Sequence, residues 1–396
     1  MPNILRQETS RVSLNYDGKE PLDNIMNSIP DIELESIFQT SQRTLNEWQN
    51  MLIWGDNLIV LKHLQSMNSL KNKVKLIYID PPFATGREFN GTHKEVAYSD
   101  TLKGANYLEF LRKRLFLLRE ILADDGTIYV HIDWKMAHYV RVLMDEIFGP
   151  EHFINDITRI KCNPKNFKRK AYGNYKDTIL FYSKGDDYIW NGSQENLTDD
   201  DVDRLFPRTD KDGRKYTTTP LHAPGETMNG PTGKEWKGLL PPKGRHWRYP
   251  PEQLTALENL GLIEWSDTGN PRKKIYADEV VVNGKKRQDI WDFKDPQYPR
   301  YPTEKNIDLL KTIISASSKK GDIVLDSFCG SGTTMEAAES LGRRWIGIDE
   351  SKHAIQIAQK RLSNMTDTHN VSYAVYWVKG HLPKWTAATK ETAMHS

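Results

Sequence analysis

The stretch Val74-Lys75-Leu76-Ile77-Tyr78-Ile79-Asp80-Pro81-Pro82-Phe83 decides how the rest of the chain reads. Val74 to Ile79, with Lys75 the only charge, predicts a buried strand. An acid, two prolines and an aromatic ring follow it. Neither proline has a backbone N–H to donate, so strand pairing stops there and the backbone stiffens. The carboxyl ends of strands are where open α/β sheets place their ligands. The chain thus offers a fixed carboxylate, carbonyls without neighbouring N–H groups, and a ring. That set suits a flat, amino-bearing ring.

Outward from this strand, apolar spacing predicts alternating strands and helices. Met51 to Trp54 is a short strand closed by Gly55-Asp56-Asn57, and a helix runs through Leu58, Leu61 and Leu64. Residues 84–103 form a loop. Leu108, Leu111, Leu115, Leu118 and Leu122 recur at helical spacing up to Asp124-Asp125-Gly126, and a strand spans Thr127 to Ile132. A helix from about Trp134 ends at Gly149-Pro150, and strands follow at 153–160 and 178–183. The pattern resumes with a helix at 307–316, a strand at 322–326, a helix at 335–341, a strand at 345–348, a helix through Ala354 and Leu362, and a strand at 371–378. This order predicts an α/β fold with a mixed sheet whose late strands are antiparallel. Residues 190–298 interrupt it with Gly, Pro, Trp and basic residues. Trp236, Trp247, Trp265 and Trp291 require somewhere to pack, so this reads as an inserted domain of short strands and loops. The expected division is an N-terminal arm at 1–45, either short helices or an arm packing on the core, one half of the main domain at 46–189, the insert at 190–298, the second half at 299–368 and a tail at 369–396.

The chain has 396 residues, of which 38% are hydrophobic, and no apolar run of membrane-spanning length. A polar start without an apolar signal region makes a cytoplasmic, soluble protein the expectation, with no membrane partner. Cys162 and Cys329 are the two cysteines, too few for a disulfide framework or a Cys-rich zinc site. Net charge is +2, yet the bases are clustered. Ile157 to Lys176 holds Arg159, Lys161, Lys165, Lys168, Arg169, Lys170 and Lys176 and no acid. Arg272-Lys273-Lys274, Lys285-Lys286-Arg287 and the run from Arg245 to Arg248 add to this in the insert. Recurrent basic clusters among aromatics point to a polyanion-binding face.

A second motif follows the strand ending at Asp326. In Phe328-Cys329-Gly330-Ser331-Gly332 the glycines let backbone N–H groups at a helix start approach an anionic ligand. Asp349 then ends the next strand, where an acid typically holds a ribose diol. Glu350 beside it is an alternative for that role. Together they describe a nucleoside-containing cofactor, although such a turn also occurs as plain strand–helix architecture. Met335 stands where a dinucleotide fingerprint has Gly or Ala, which argues against a nicotinamide enzyme. Asp56 fits equally a ligand contact in the same crevice or the cap of the helix after it.

The pairing of Asp80-Pro81-Pro82-Phe83 with a later Phe328-Cys329-Gly330-Ser331-Gly332 resembles the amino-group DNA methyltransferases that use S-adenosylmethionine, in the permuted order of their β class. Trp54-Gly55-Asp56-Asn57-Leu58, His131-Ile132-Asp133, Leu143 to Gly149 and Tyr301-Pro302-Thr303-Glu304-Lys305-Asn306 extend the resemblance to modification subunits of type III restriction–modification systems. It covers about 50–185 and 300–363. It implies a circularly permuted, Rossmann-like methyltransferase fold, with the insert as target-recognition domain. It also implies that Asp80, Pro81, Pro82 and Phe83 form the catalytic site for an adenine amine flipped out of double-stranded DNA. Phe328, Gly330 and Gly332 would line the methionine part of the cofactor, and Thr303 and Lys305 its carboxylate. Asp326 would sit at the head of that turn, Asp349 would hold the ribose, and Asp56 would lie near the cofactor's adenine. Lys165, Lys168, Arg169, Lys170, Arg245 and Arg248 would contact DNA. A homodimer and a separate restriction subunit are partners the family suggests. Phe83 replaces the Tyr commonest in adenine-specific members and keeps the stacking face. Cytosine-N4 members usually open the motif with Ser, so Asp80 favours adenine N6. The rival readings are a cytosine-N4 enzyme of the same architecture, an enzyme acting on RNA or a protein amide, and a non-catalytic DNA-binding regulator.

Overall fold

The structure, a computed structural model, describes residues 12–28, 32–40, 48–82, 88–90, 96–99, 104–163, 170–227, 229–281, 284–299, 304–366 and 371–379. Two compact units divide the chain: residues 1–191 with 288–396, and residues 192–287.

The first unit is built on a sheet of ten strands among the described residues. In chain order they are β1 (Leu34–Gln39), β2 (Asn50–Trp54), β3 (Val74–Ile79), β4 (Leu122–Ile132), β5 (Phe153–Ile160), β6 (Lys176–Ser183), β7 (Ile290–Asp292), β8 (Ile323–Asp326), β9 (Arg344–Asp349) and β10 (Tyr373–Val378). Their order across the sheet is β1-β10-β2-β9-β8-β3-β4-β6-β5-β7. The run from β10 to β4 is parallel throughout. β6 is antiparallel to both β4 and β5. β3 lies directly against β8, Leu76 opposite Val324 and Ile77 opposite Leu325, although they are far apart in sequence.

Helices cover both faces. On one, α1 (Leu22–Ser28), α2 (Asn57–Ser66), α3 (Ala105–Ile121) and α4 (Ala137–Phe148) bury residues such as Ile25, Leu61, Leu115 and Val140 against Ile77 and Ile79. On the other, α5 (Ile307–Ser317), α6 (Thr333–Ser340) and α7 (Lys352–Thr366) bury Leu310, Ala337 and Leu362 against Leu76 and Tyr78. β3 is apolar on both faces because both are covered, the usual reason a parallel strand reads as a continuous apolar run. Each fully buried Leu or Ile there contributes roughly 1.5–3 kcal/mol.

The expected boundaries shift in five places. The loop expected at 84–103 contains a short antiparallel pair, Glu88–Asn90 with Val96–Ser99. α3 ends at Ile121 and β4 begins at Leu122, so Asp124-Asp125-Gly126 lies within the strand's span and not at a helix stop. The arm expected to hold short helices contains α1 and an edge strand, β1. The strand expected at 371–378 is β10, inserted between β1 and β2, so the tail begins after it and not at 369. The insert expected to run to 298 gives up Ile290–Asp292, which pairs as β7 with β5 of the large sheet.

The second unit, Gly192–Arg287, has a four-stranded antiparallel sheet in the order Arg208–Thr209, Lys215–Pro220, Pro271–Tyr276, Ile263–Trp265. Its small core gathers Leu221, Trp236, Trp247 and Leu254, with Trp236 stacked on Trp265 at 5.7 Å between ring centroids. Among the described residues, no helix is long and apolar enough to cross a membrane.

Candidate active site

The parallel registers bring Asp80, Asp326 and Asp349, each at the end of its strand, to one edge of the sheet. An open cleft lies there, with Asp80, Pro81, Pro82, Lys305, Phe328 and Gly330 among its walls.

Asp80 divides its two oxygens. Oδ2 is paired with Lys305 Nζ at 2.7 Å. Oδ1 is buried and accepts no hydrogen bond among the described residues. An unmade hydrogen bond on a buried acceptor costs about 1–3 kcal/mol, so such an atom calls for a ligand donor. Behind it stands His131, its Nδ1 3.9 Å from Oδ1, and the Tyr78 hydroxyl lies 2.8 Å from that same Nδ1.

The glycine turn is tied down from both ends. Asp326 Oδ1 accepts from Phe328 N at 2.9 Å, and its Oδ2 accepts from the Thr334 hydroxyl at 2.5 Å. Asp349 Oδ2 accepts from Gly330 N at 2.8 Å and its Oδ1 from Ser351 N at 2.9 Å. Burial pushes the Asp326 carboxyl up to about 7 and that of Asp349 up to about 6. Gly332, φ +81°, packs so closely on α7 that a Cβ there would stand 2.8 Å from Ala358 Cβ. Arg361 of α7, buried, donates to Ser331 O and pairs with Glu336 and Glu304, so it joins the turn to the segment carrying Lys305. Burial also raises the Cys329 thiol well above its ordinary range, which leaves it no nucleophile at neutral pH.

Two wall residues, Phe110 and Arg114, carry no sequence signal of their own, and Glu350 joins them as the alternative the sequence offers to Asp349. Phe110 and Arg114 on α3 form a ladder with Phe328: the Arg114 guanidinium lies 3.6 Å from the Phe110 ring, itself 6.1 Å from Phe328. Arg114 is buried and its Nη2 pairs with Asp56 Oδ1 at 3.0 Å. Glu350 lines the cleft, and burial followed by the Asp56 charge raises its carboxyl. Asp56 itself is not part of the wall. It caps α2, accepting from Leu58 N at 2.8 Å, and acts on the cleft through Arg114. Gly332 likewise lies behind the wall. Of the other expected residues, Lys170 is exposed, and Arg245 and Arg248 belong to the second unit. Phe83, Thr303, Lys165, Lys168 and Arg169 lie outside the described residues.

In the second unit, Arg245, Arg248 and Arg272 gather around His222, whose pKa is lowered by burial and then by these three cations. None of the three pairs with a carboxylate among the described residues: their donors go to His222, to Pro220 O and to Thr218.

Residues 74–360 match the family model for N6/N4 enzymes described as DNA methylase. The chain is 45% identical over 360 residues to "Type II methyltransferase M.EcaI" of Enterobacter cloacae, covering 89% of this chain and 78% of that protein. It is 28% identical over 418 residues to the "Probable type III restriction-modification enzyme HindVI Mod subunit" of Haemophilus influenzae, covering 84% of this chain and only 53% of that one. Among solved structures, the M1.HpyAVI–SAM complex superposes with a TM-score of 0.42 at 19% identity, over 78% of this chain and 99% of the other.

Proposed function

The chain belongs to the N6/N4 DNA methylase family, and we propose that it is a site-specific DNA adenine-N6 methyltransferase of a restriction–modification system, using S-adenosylmethionine. The observation that carries the reading is the buried, unengaged Oδ1 of Asp80 beside Pro81, facing the glycine turn across one cleft.

The cleft fits that cofactor. Phe328 and Gly330 offer a wall for its methionine arm, and Lys305, with Thr303, a cation and a hydroxyl for its carboxylate. Because both oxygens of Asp349 already accept backbone N–H groups, we assign the ribose diol to Glu350, with Asp349 shaping the turn. Phe110 and Arg114 give a flat face for an adenine ring, and Asp56 fixes that face. S-adenosylmethionine would supply a methyl group on sulfonium, an electrophile open to direct attack.

An exocyclic amine is a weak nucleophile, since its lone pair is delocalised into the ring. One N–H donated to Asp80 Oδ1 and another to the Pro81 carbonyl would localise that lone pair toward the glycine turn. The proton lost as the N6–methyl bond forms has Asp80 as its nearest acceptor. Phe83 would stack on the base. A base within a duplex cannot enter such a cleft, so the adenine is flipped out at a cost of a few kcal/mol, partly offset by about 1–3 kcal/mol of stacking. Lys165, Lys168, Arg169 and Lys170 would hold phosphates beside the catalytic unit. In the second unit, read as the target-recognition domain, Arg245, Arg248 and Arg272 are cations without carboxylate partners, suited to phosphate and guanine edges. A second copy of the chain and a separate restriction subunit are the partners this reading includes.

Asp80 in place of the Ser usual in cytosine-N4 members favours adenine. The test is nucleoside mass spectrometry of DNA from a methylation-deficient host expressing the protein. N6-methyladenine in the wild type and its loss in Asp80→Ala, with S-adenosylmethionine still bound, is the expected result. N4-methylcytosine would replace the adenine assignment, and retained transfer by Asp80→Ala would sink the mechanism.

A further inference from the structure

Behind Asp80 a buried polar chain runs across three strands. Tyr78 on β3 meets His131 on β4 at 2.8 Å, and His131 Nε2 stands 3.4 Å from Asp177 Oδ2 on β6. Asp177 in turn takes Lys161 Nζ at 2.7 Å and has Arg159 Nη1 at 3.8 Å. His131 and Arg159 are 0% exposed and Asp177 1% exposed. The mechanism above uses none of these five groups, and burying charged groups costs free energy that their pairing offsets only in part.

Proton placement supplies the reason. Burial by itself raises the Asp177 carboxyl, but the contact with His131 and the Lys161 cation more than offset it, so Asp177 stays ionised. Nε2 faces this carboxylate at 3.4 Å, short of hydrogen-bond geometry, and because an ionised carboxylate only accepts, the electrostatically favoured place for the ring proton is Nε2. Burial lowers the His131 pKa and keeps the ring neutral, which leaves a lone pair on Nδ1. The Tyr78 hydroxyl therefore donates to Nδ1. Among the described residues, the His131 ring thus offers no proton toward Asp80 Oδ1, 3.9 Å away, and the Tyr78 hydroxyl has spent its proton on Nδ1. Lys305 pairs with Oδ2.

We infer that His131 and Asp177 are positioning residues that keep Asp80 Oδ1 free of protein donors and so reserve it for the N–H of the substrate amine. The inference rests on the methyltransferase reading above. Without Asp177 the imidazole proton is free to sit on Nδ1. There it would donate to the Tyr78 hydroxyl at 2.8 Å and release that hydroxyl's own proton toward Asp80, in competition with the amine.

The test is Asp177→Asn beside Asp177→Glu. The asparagine amide donates to Nε2 and moves the proton to Nδ1, whereas glutamate keeps an acceptor. Expected for Asp177→Asn are a kcat lower by roughly 10- to 100-fold, an S-adenosylmethionine Kd within about twofold of wild type, and partial rescue by Asp177→Glu. ¹⁵N NMR of histidine-labelled protein, with the signal assigned by its loss in His131→Gln, should show His131 protonated on Nε2 in the wild type. The acid limb of the wild-type pH–kcat profile should report His131 protonation. The groups facing that ring are Tyr78 and Asp80 from β3, Asp177 from β6, Arg159 from β5, and Lys305. Wild-type kcat in Asp177→Asn overturns the inference. So does a wild-type His131 protonated on Nδ1, a measurement that needs no variant at Asp177 to fold. Absence of methyl transfer by the wild type itself overturns the functional reading, and this inference with it.

Discussion

Replacing Gly332 by alanine tests whether the cofactor turn works through its shape. Gly332 has φ +81°, where a side chain costs about 1–2 kcal/mol. The added Cβ would stand 2.8 Å from Ala358 Cβ and 3.1 Å from its Cα. Carbons prefer about 3.5–4.0 Å, so turn and helix must separate by most of an ångström, an overpacking worth about 1–3 kcal/mol. Ala358 cannot retreat cheaply, because it is 0% exposed and one turn from Arg361, whose buried ion pairs fix α7. The total is about 2–5 kcal/mol, or a Tm lower by about 5–15 °C at this size of unit. Gly321→Ala is the control: φ is +85° there too, but nothing lies within 4 Å of its Cβ, so only the backbone cost applies. Differential scanning fluorimetry gives the stability difference and calorimetric titration gives the S-adenosylmethionine affinity. Gly332→Ala should lose at least about tenfold in affinity, about 1.4 kcal/mol, and Gly321→Ala should bind as wild type. Equal Tm losses in the two variants with unchanged affinity would refute the steric argument.

Two further outcomes follow from charge. Asp326 and Asp349 titrate in the fold at about 7 and about 6, above the ordinary unfolded value near 3.9. The folded state therefore holds protons that the unfolded chain has released. That stability is complete below about pH 4 and is lost as pH rises through 6 and 7, by up to about 1.4 kcal/mol per pH unit per group. Ligand-free protein should thus melt lower at pH 8 than at pH 6, and Asp326→Asn should flatten the profile; an unchanged profile would show that this carboxylate is already ionised. For DNA, Arg245→Ala with Arg248→Ala should reduce the slope of log K against log salt by about 2; an unchanged slope would place the cluster away from DNA.

The central strands of the large sheet and the helices on them are legible in the sequence because both faces are covered, so periodicity and strand runs reflect burial directly, whereas the edge strand β7 is not. β1 is not legible: five of its six residues are exposed, and it is a strand only because β10 offers an edge. The site divides in the same way. Asp80, Asp326 and the glycine turn announce themselves by position at strand ends. Arg114 and Phe110 do not. On a helix with an apolar stripe an arginine reads as solvent face, and its burial becomes apparent only when Asn57 and Asp56 arrive from another element. His131 and Asp177 are hidden for the same reason, since their partners lie on neighbouring strands. Asp56 shows the converse. Of its two sequence readings the helix cap is the one the geometry shows, and as a cap it also orients a wall residue.

The pairing of β3 with β8 also governs when the cleft can exist. The two strands are about 250 residues apart in the chain, yet they are immediate neighbours at the centre of the sheet. During synthesis the acid-bearing strand leaves the ribosome first and waits for its partner with one edge unsatisfied. Loop closure over that span adds little to the equilibrium cost, which grows only as the logarithm of length. It does add delay, because parallel pairing across long separations is slow. A nascent or truncated chain lacking β8 would therefore present an open apolar edge and no cleft. Aggregation of that species competes with maturation, and the yield of working enzyme is set by how soon the second half of the sheet arrives.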